Sequence, residues 1–64
     1  MLHTGLSLHR YLLRYRIDRA LEYLQGTDMT AAEIAGKVGF GDVNHFLKVF
    51  RRETGRTTRE YRAR

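Results

Sequence analysis

Between Gly39 and Gly55 the chain reads Gly-Phe-Gly-Asp-Val-Asn-His-Phe-Leu-Lys-Val-Phe-Arg-Arg-Glu-Thr-Gly, and this stretch leaves little freedom of local structure. Asp42 is an N-cap type, whose short carboxylate accepts from the amides that a helix start leaves unpaired. Gly55 supplies the residue that best tolerates left-handed backbone at a helix end. A helix over residues 43–54 is therefore expected. At about 100° per residue, Phe46 and Phe50 share one face, with Val43 and Val49 at its edges, while Asn44, Leu47, Lys48 and Arg51 point away. The first face is built for a core. The second carries an amide, a methyl-bearing side chain and long cations, the groups that meet base edges and phosphates when a helix lies in a DNA major groove. A solvated basic side on an ordinary amphipathic helix has the same pattern, so the wheel alone leaves both readings open.

The flanking segments supply the rest of an all-α fold. Thr30-Ala31-Ala32-Glu33 is a capping box, which starts a second helix at Ala31 and carries it to about Val38, with Ile34, Ala35 and Val38 facing inward. Gly39 ends that helix and Phe40 plugs the turn. Two helices joined by a turn of about four residues containing glycine form a helix-turn-helix, and the small Ala35, one turn before Gly39, lets the two axes approach. Upstream, Ser7 reads as the N-cap of a long helix over 8–25 closed by Gly26. Its apolar positions, Leu8, Tyr11, Leu12, Tyr15, Ile17, Ala20, Leu21 and Leu24, are expected to form one broad buried stripe. Arg14–Asp18 and Arg19–Glu22 are spaced as helical ion pairs; Arg10, Arg14 and Arg19 are read as solvated, and Arg16 as partly buried, tying this helix to the rest. Downstream, Thr57-Thr58-Arg59-Glu60 is a second capping box opening a last helical turn that lays Tyr61 over the bundle.

Size and charge narrow the function. A chain of 64 residues has room for one small core, and with no cysteine it has no disulfide or thiolate cluster to supplement it. No apolar run approaches the roughly 18 residues of a membrane span, the first residues lack the pattern of a signal peptide, and a small disulfide-free chain fits the cytoplasm. Residues 1–36 hold four arginines against four acids, whereas residues 37–64 hold eight Lys/Arg against three, so the whole net charge of +5 lies on and after the central helix. One-sided basic charge is the footprint of a polyanion partner. The three histidines (3, 9, 45) lack metal-ligand spacing, the tyrosines lie at helical spacing rather than on a stacking sheet, and the scattered acids form no catalytic constellation. Neither metal, cofactor nor enzymatic activity is expected.

Thr4-Gly5-Leu6-Ser7 through Tyr11 resembles Thr54-Gly55-Arg56-Thr57 through Tyr61, a period of 50 residues that implies a tandem pair of units of which only the tail of the first is present. Arg16-Ile17-x-x-Ala20-x-x-Tyr23-Leu24, then Glu33-Ile34-Ala35-x-x-Val38-Gly39-Phe40-x-Asp42-x-Asn44-His45-Phe46-x-Lys48-x-Phe50-Arg51-Arg52-x-x-Gly55 and Tyr61-Arg62, resemble the DNA-binding domain of AraC/XylS-type bacterial transcription regulators, from about Thr4 to Arg62. That family joins two helix-turn-helix units by a long helix. The resemblance implies that residues 1–6 are the end of a first unit, 7–26 the linker helix, and 27–64 a second, homeodomain-like three-helix unit. It also implies sequence-specific binding of double-stranded DNA, with the missing first unit, RNA polymerase or a second copy as further partners.

Carried over position by position, Val43, Asn44, Leu47 and Lys48 face bases, while His45, Arg51 and Arg52 face the backbone. Thr30 and Ala31 stand where a helix start favours a phosphate. The sequence departs from the family in two places. Thr58 stands where the family has proline, which is expected to loosen that turn, and Val43 and Leu47 stand where polar readers are common, which points to thymine methyl contact or weak readout. Two other classes stay open: a protein-interaction or self-association module using the apolar stripe of residues 8–24, and an accessory DNA-binding segment of a larger enzyme.

Overall fold

The computed structural model describes residues 4–62, with side chains from Leu8 onward, and among these there are four helices and no strand. They are α1 (Thr4–Gly26), α2 (Ala31–Lys37), α3 (Val43–Thr54) and α4 (Thr58–Arg62). His3, Ala63 and Arg64 lie outside the described residues, as do the first residues assigned to a preceding unit. α1 begins at Thr4, three residues ahead of the expected Ser7 cap, and runs through Gly5. The two Thr-Gly pairs of the internal echo therefore differ in backbone, because Gly55 sits in left-handed conformation at φ 82° and closes α3.

Neither expected cap of α1 is seen, since Gly26 also lies within the helix and lacks left-handed backbone, but the caps of α2, α3 and α4 follow the sequence closely. Thr30 Oγ1 accepts from the Glu33 amide at 3.1 Å, and Glu33 Oε1 accepts from the Thr30 amide at 2.9 Å. Thr57 and Glu60 repeat the arrangement at 3.1 and 2.8 Å. The turn before α4 is thus closed by its own side chains. Gly39 adopts φ 96°, a region that side chains bearing a Cβ rarely occupy. The Phe40 amide then reaches back to Ala35 O at 2.8 Å, turning the chain between α2 and α3.

One core holds the molecule together: Ile17, Ala20 and Leu24 of α1, Ile34, Ala35 and Val38 of α2, Phe40 of the turn, and Phe46, Val49 and Phe50 of α3. Phe46 and Phe50 are 0% exposed, and each such side chain contributes about 1.5–3 kcal/mol by leaving water. Tyr61 stands edge-on to Phe50 with ring centroids 5.5 Å apart, as expected for a lid over the bundle.

The expected α1 stripe needs correction. Ile17, Ala20 and Leu24 are buried and Leu21 packs beside them, but Leu8, Tyr11, Leu12 and Tyr15 are exposed. These four lie on the opposite side of the helix from Leu13, Ile17, Ala20 and Leu24, since each group repeats at three and four residues half a turn from the other. α1 therefore carries two apolar faces, only one of them covered by the described residues. About 35 Å of helix for 23 residues explains the elongated outline of 41 × 21 × 19 Å.

Arg10 is exposed, as expected, and its Nη1 also lies 3.6 Å from Glu53 Oε2, which links α1 to α3. Arg16 is exposed, not partly buried, yet its guanidinium covers the open side of Gly39, 3.5 Å from where a Cβ there would stand. Arg14 and Arg19 form the expected helical pairs with Asp18 and Glu22, at 3.3 and 3.6 Å.

Candidate nucleic-acid interface

The orientation of α3 is set by what its inner face packs against. Phe40 meets Phe46 at 5.3 Å between centroids, and Phe46 meets Phe50 at 5.7 Å, so rotation about the helix axis would break a continuous aromatic row. At the N-terminus, Asp42 Oδ1 accepts from the Asn44 amide at 3.3 Å and Asp42 O accepts from the Phe46 amide at 3.0 Å. The consequence is a fixed outer face on which Asn44, Leu47, Lys48 and Arg51 are all exposed, at the i, i+3, i+4, i+7 spacing of one helical stripe.

The other site residues are less uniform. Val43 is half-buried and packed against the core, so it offers only part of its surface outward. His45 is exposed with its ring edge on Phe40 at 5.6 Å. Arg52 Nε lies 3.6 Å from Glu53 Oε2, which shares that oxygen with Arg10. At the start of α2 the capping box already occupies the amides of Thr30 and Glu33. Those of Ala31 and Ala32 are the first-turn donors without an intrahelical acceptor.

Beside the outer face of α3 lies a groove of about 830 Å³ that no local sequence signal announces. It is lined by the apolar Ala31 and Leu47, by Thr57 and Thr58, and by the cations Lys48, Arg51, Arg52 and Arg59. It thus joins residues of α2, α3 and α4 into one basic concavity. Lys48, Arg51 and Arg59 have no carboxylate oxygen within 4.0 Å among the described residues, whereas Arg10, Arg14 and Arg19 on α1 each have one. On that far side, Arg19 is held above its ordinary pKa by its hydrogen bond to Tyr23 Oη, with Glu22 assisting. Three cations without a carboxylate partner thus share this one groove, while Arg16 and Lys37, which also lack one among the described residues, lie together elsewhere. Among the described residues no helix is long and apolar enough to cross a membrane, and no group of three His, Asp or Glu side chains could hold a metal.

Residues 2–64, nearly the whole chain, match the family described as helix-turn-helix domain. The chain belongs to the AraC/XylS-type helix-turn-helix family. It is 48% identical over 60 residues to the HTH-type transcriptional activator RhaS of Enterobacter sp. (strain 638), covering 94% of this chain and 22% of that protein. RhaS of Salmonella newport (strain SL254) is 47% identical over the same share. Among solved structures, the C-terminal domain of the two-component response regulator yesN from Fusobacterium nucleatum superposes with a TM-score of 0.87 at 34% identity, over 97% of this chain and 62% of that one. The chain therefore spans about a fifth of the length of these curated relatives. The names of these relatives are those of a transcriptional activator and of a response regulator.

Two further features of this member were not foreseen from sequence. Arg62 donates three hydrogen bonds to main-chain carbonyls, at Leu24, Thr27 and Met29. The Glu53 carboxylate, on the inner side of α3, sits 3.6 Å from both Arg10 and Arg52. Helical spacing places Glu53 beside Phe46 and Phe50, and that alone marks it as an acid in need of a partner.

Proposed function

We propose that this chain is the DNA-reading part of a bacterial transcription regulator, binding double-stranded DNA sequence-specifically with α3 in the major groove. In this reading residues 1–6 end a preceding helix-turn-helix unit, residues 7–26 of α1 are the linker helix, and residues 27–64 form the second unit. The observation that carries it is the outer face of α3: Asn44, Leu47, Lys48 and Arg51 are exposed, on a helix whose opposite face is locked by Phe46, Val49 and Phe50. Asn44 is the main base reader, since a carboxamide can pair with adenine through two hydrogen bonds. Lys48 adds a cation at the groove floor, Leu47 meets a thymine methyl, and Val43 contributes at the edge. Arg51, Arg52, His45 and the start of α2 at Thr30 and Ala31 hold the sugar–phosphate backbone. A cytoplasmic location fits that role. The family membership and the charge asymmetry support the same reading.

Selection from a random-sequence duplex pool at two salt concentrations tests it. An enriched sequence is expected at both, bound more weakly as salt rises. Asn44→Ala should then lose about 1–3 kcal/mol of preference for that sequence over a scrambled one. Equal loss on both duplexes would show that Asn44 does not read bases. With one reading helix, the affinity of this chain alone should be weaker than about 1 µM, below that of complete regulators.

A second reading is favoured by one observation, the exposed row Leu8, Tyr11, Leu12 and Tyr15 on α1. An uncovered apolar row of this kind marks a surface for protein contact, with the preceding unit, RNA polymerase or a second copy as candidates. Sedimentation at several concentrations separates the two: a monomer with salt-dependent DNA binding supports the first, and a dimer indifferent to DNA the second.

A further inference from the structure

A helix lying in a major groove does not by itself account for the basic groove between α3 and the start of α4. Lys48, Arg51, Arg52 and Arg59 line it, and among the described residues no acidic side chain does. Carboxylates that could have neutralised it are engaged elsewhere. Glu53 holds Arg10 and Arg52, Glu60 accepts from the Thr57 amide at 2.8 Å, and Glu33 accepts from the Thr30 amide at 2.9 Å. Cations gathered round one concavity raise the local positive potential and favour an anion there.

We propose that this groove seats a stretch of the sugar–phosphate backbone of the bound duplex, with Arg59 of α4 as a phosphate ligand from outside the two helices of the helix-turn-helix. The inference rests on reading α3 as the DNA-facing helix. A DNA strand carries one phosphate per base step, about every 3.4 Å of rise along the helix axis, with a largely apolar deoxyribose between successive phosphates. That mixture of apolar sugar and anionic phosphate matches a lining that combines Ala31 and Leu47 with four cations. The arginine fork matches two phosphate oxygens at once, and the Thr58 hydroxyl lines the same groove. Since Leu47, Lys48 and Arg51 belong both to the outer face of α3 and to the groove, one strand can pass from the edge of the major groove to Arg59 without a gap.

Fluorescence anisotropy across a salt series tests this, using a duplex selected on the unmodified chain and a scrambled duplex of equal length. Arg59→Ala should weaken both by the same factor, about three- to tenfold at low salt, and reduce the slope of log affinity against log salt by about one. Arg59→Lys should recover most of the loss, and Arg14→Ala, on α1, should change neither quantity. Arg59 is exposed, so the thermal melt followed by circular dichroism should not move. Wild-type affinity and slope in Arg59→Ala, with discrimination still lost in Asn44→Ala, would overturn the backbone seat and leave the α3 reading standing. Weakening confined to the selected duplex would also overturn it, since Arg59 would then be reading a base. Absence of duplex binding by the unmodified chain, even at low salt, would remove both.

Discussion

Arg62 Nη1 donates to the carbonyl oxygen of Met29 at 2.6 Å, so the end of the last helix is bonded to the loop that precedes α2. The same guanidinium reaches Thr27 O at 2.9 Å and Leu24 O at 3.3 Å. Those carbonyls lie at and beyond the end of α1, where helical geometry leaves oxygens without partners. One side chain thereby closes the end of α1, orders the connector and holds α4 with its Tyr61 over Phe50.

Replacing Arg62 should therefore cost stability out of proportion to its exposure. Arg62→Ala is expected to lower the unfolding free energy by about 1–3 kcal/mol, the range for charge-assisted bonds whose acceptors lose their partner. Arg62→Lys should recover only part, because a single ammonium cannot meet three divergent carbonyls as a planar fork does. Urea denaturation followed at 222 nm measures both. An unchanged midpoint in Arg62→Ala would show that water replaces the fork without loss.

Gly39 and Gly36 should respond in opposite directions to the same substitution. Gly39 holds φ 96° with the Arg16 guanidinium over it, so Gly39→Ala forces a Cβ into left-handed backbone, at a cost of about 1–2 kcal/mol. Gly36 lies in the exposed side of α2, and a Cβ there meets nothing within 4 Å. Gly36→Ala should stabilise by about 0.4–1 kcal/mol, through helix propensity and a less disordered unfolded chain. Paired thermal melts of the two variants give the signs directly.

The uncovered row on α1 leads to a third expectation. Leu12→Ser should change stability by no more than about 0.5 kcal/mol, as at an ordinary surface position. Ile17→Ala, one and a half turns further on and 1% exposed, should cost about 2–5 kcal/mol. In a chain of 64 residues that is enough to leave much of the population unfolded at room temperature. Similar losses from both would mean that the Leu12 face is covered.

This contrast also marks how far the sequence could be read. Helix ends were legible because Thr30, Asp42, Gly55 and Thr57 act on atoms within a few residues, and the structure shows each of those caps. The two faces of α3 were legible because all its aromatic residues fall on one side. α1 offered no such asymmetry. Leu8, Tyr11, Leu12 and Tyr15 repeat with the same period as Leu13, Ile17, Ala20 and Leu24, and nothing local says which set meets the other helices. Contacts between distant segments were equally hidden. Arg62 meets Met29 across 33 residues of chain, and Arg59 shares a groove with Ala31 only because α2 and α4 both start beside α3.

Glu53 couples stability to charge on the proposed interface, and the two should separate in one variant. Its Oε2 lies 3.6 Å from Arg10 on α1 and from Arg52 beside the groove, while its own side chain is only 9% exposed. Glu53→Gln keeps the shape and removes the charge. Both arginine partners are about two-thirds exposed, at 65% and 67%, so solvent screens the pairs. The loss of stability should accordingly be only about 0.5–1 kcal/mol. DNA binding should move the other way. Arg52 loses its competing carboxylate, and net charge rises by one on the basic side of the molecule. Affinity for any duplex should then rise about two- to fivefold at low salt, with a steeper salt dependence. Denaturation and anisotropy on the same preparation give the pair of signs. Weaker DNA binding in the folded variant would mean that Glu53 serves the interface by positioning Arg52, and that the pair acts as a unit instead of in competition with phosphate.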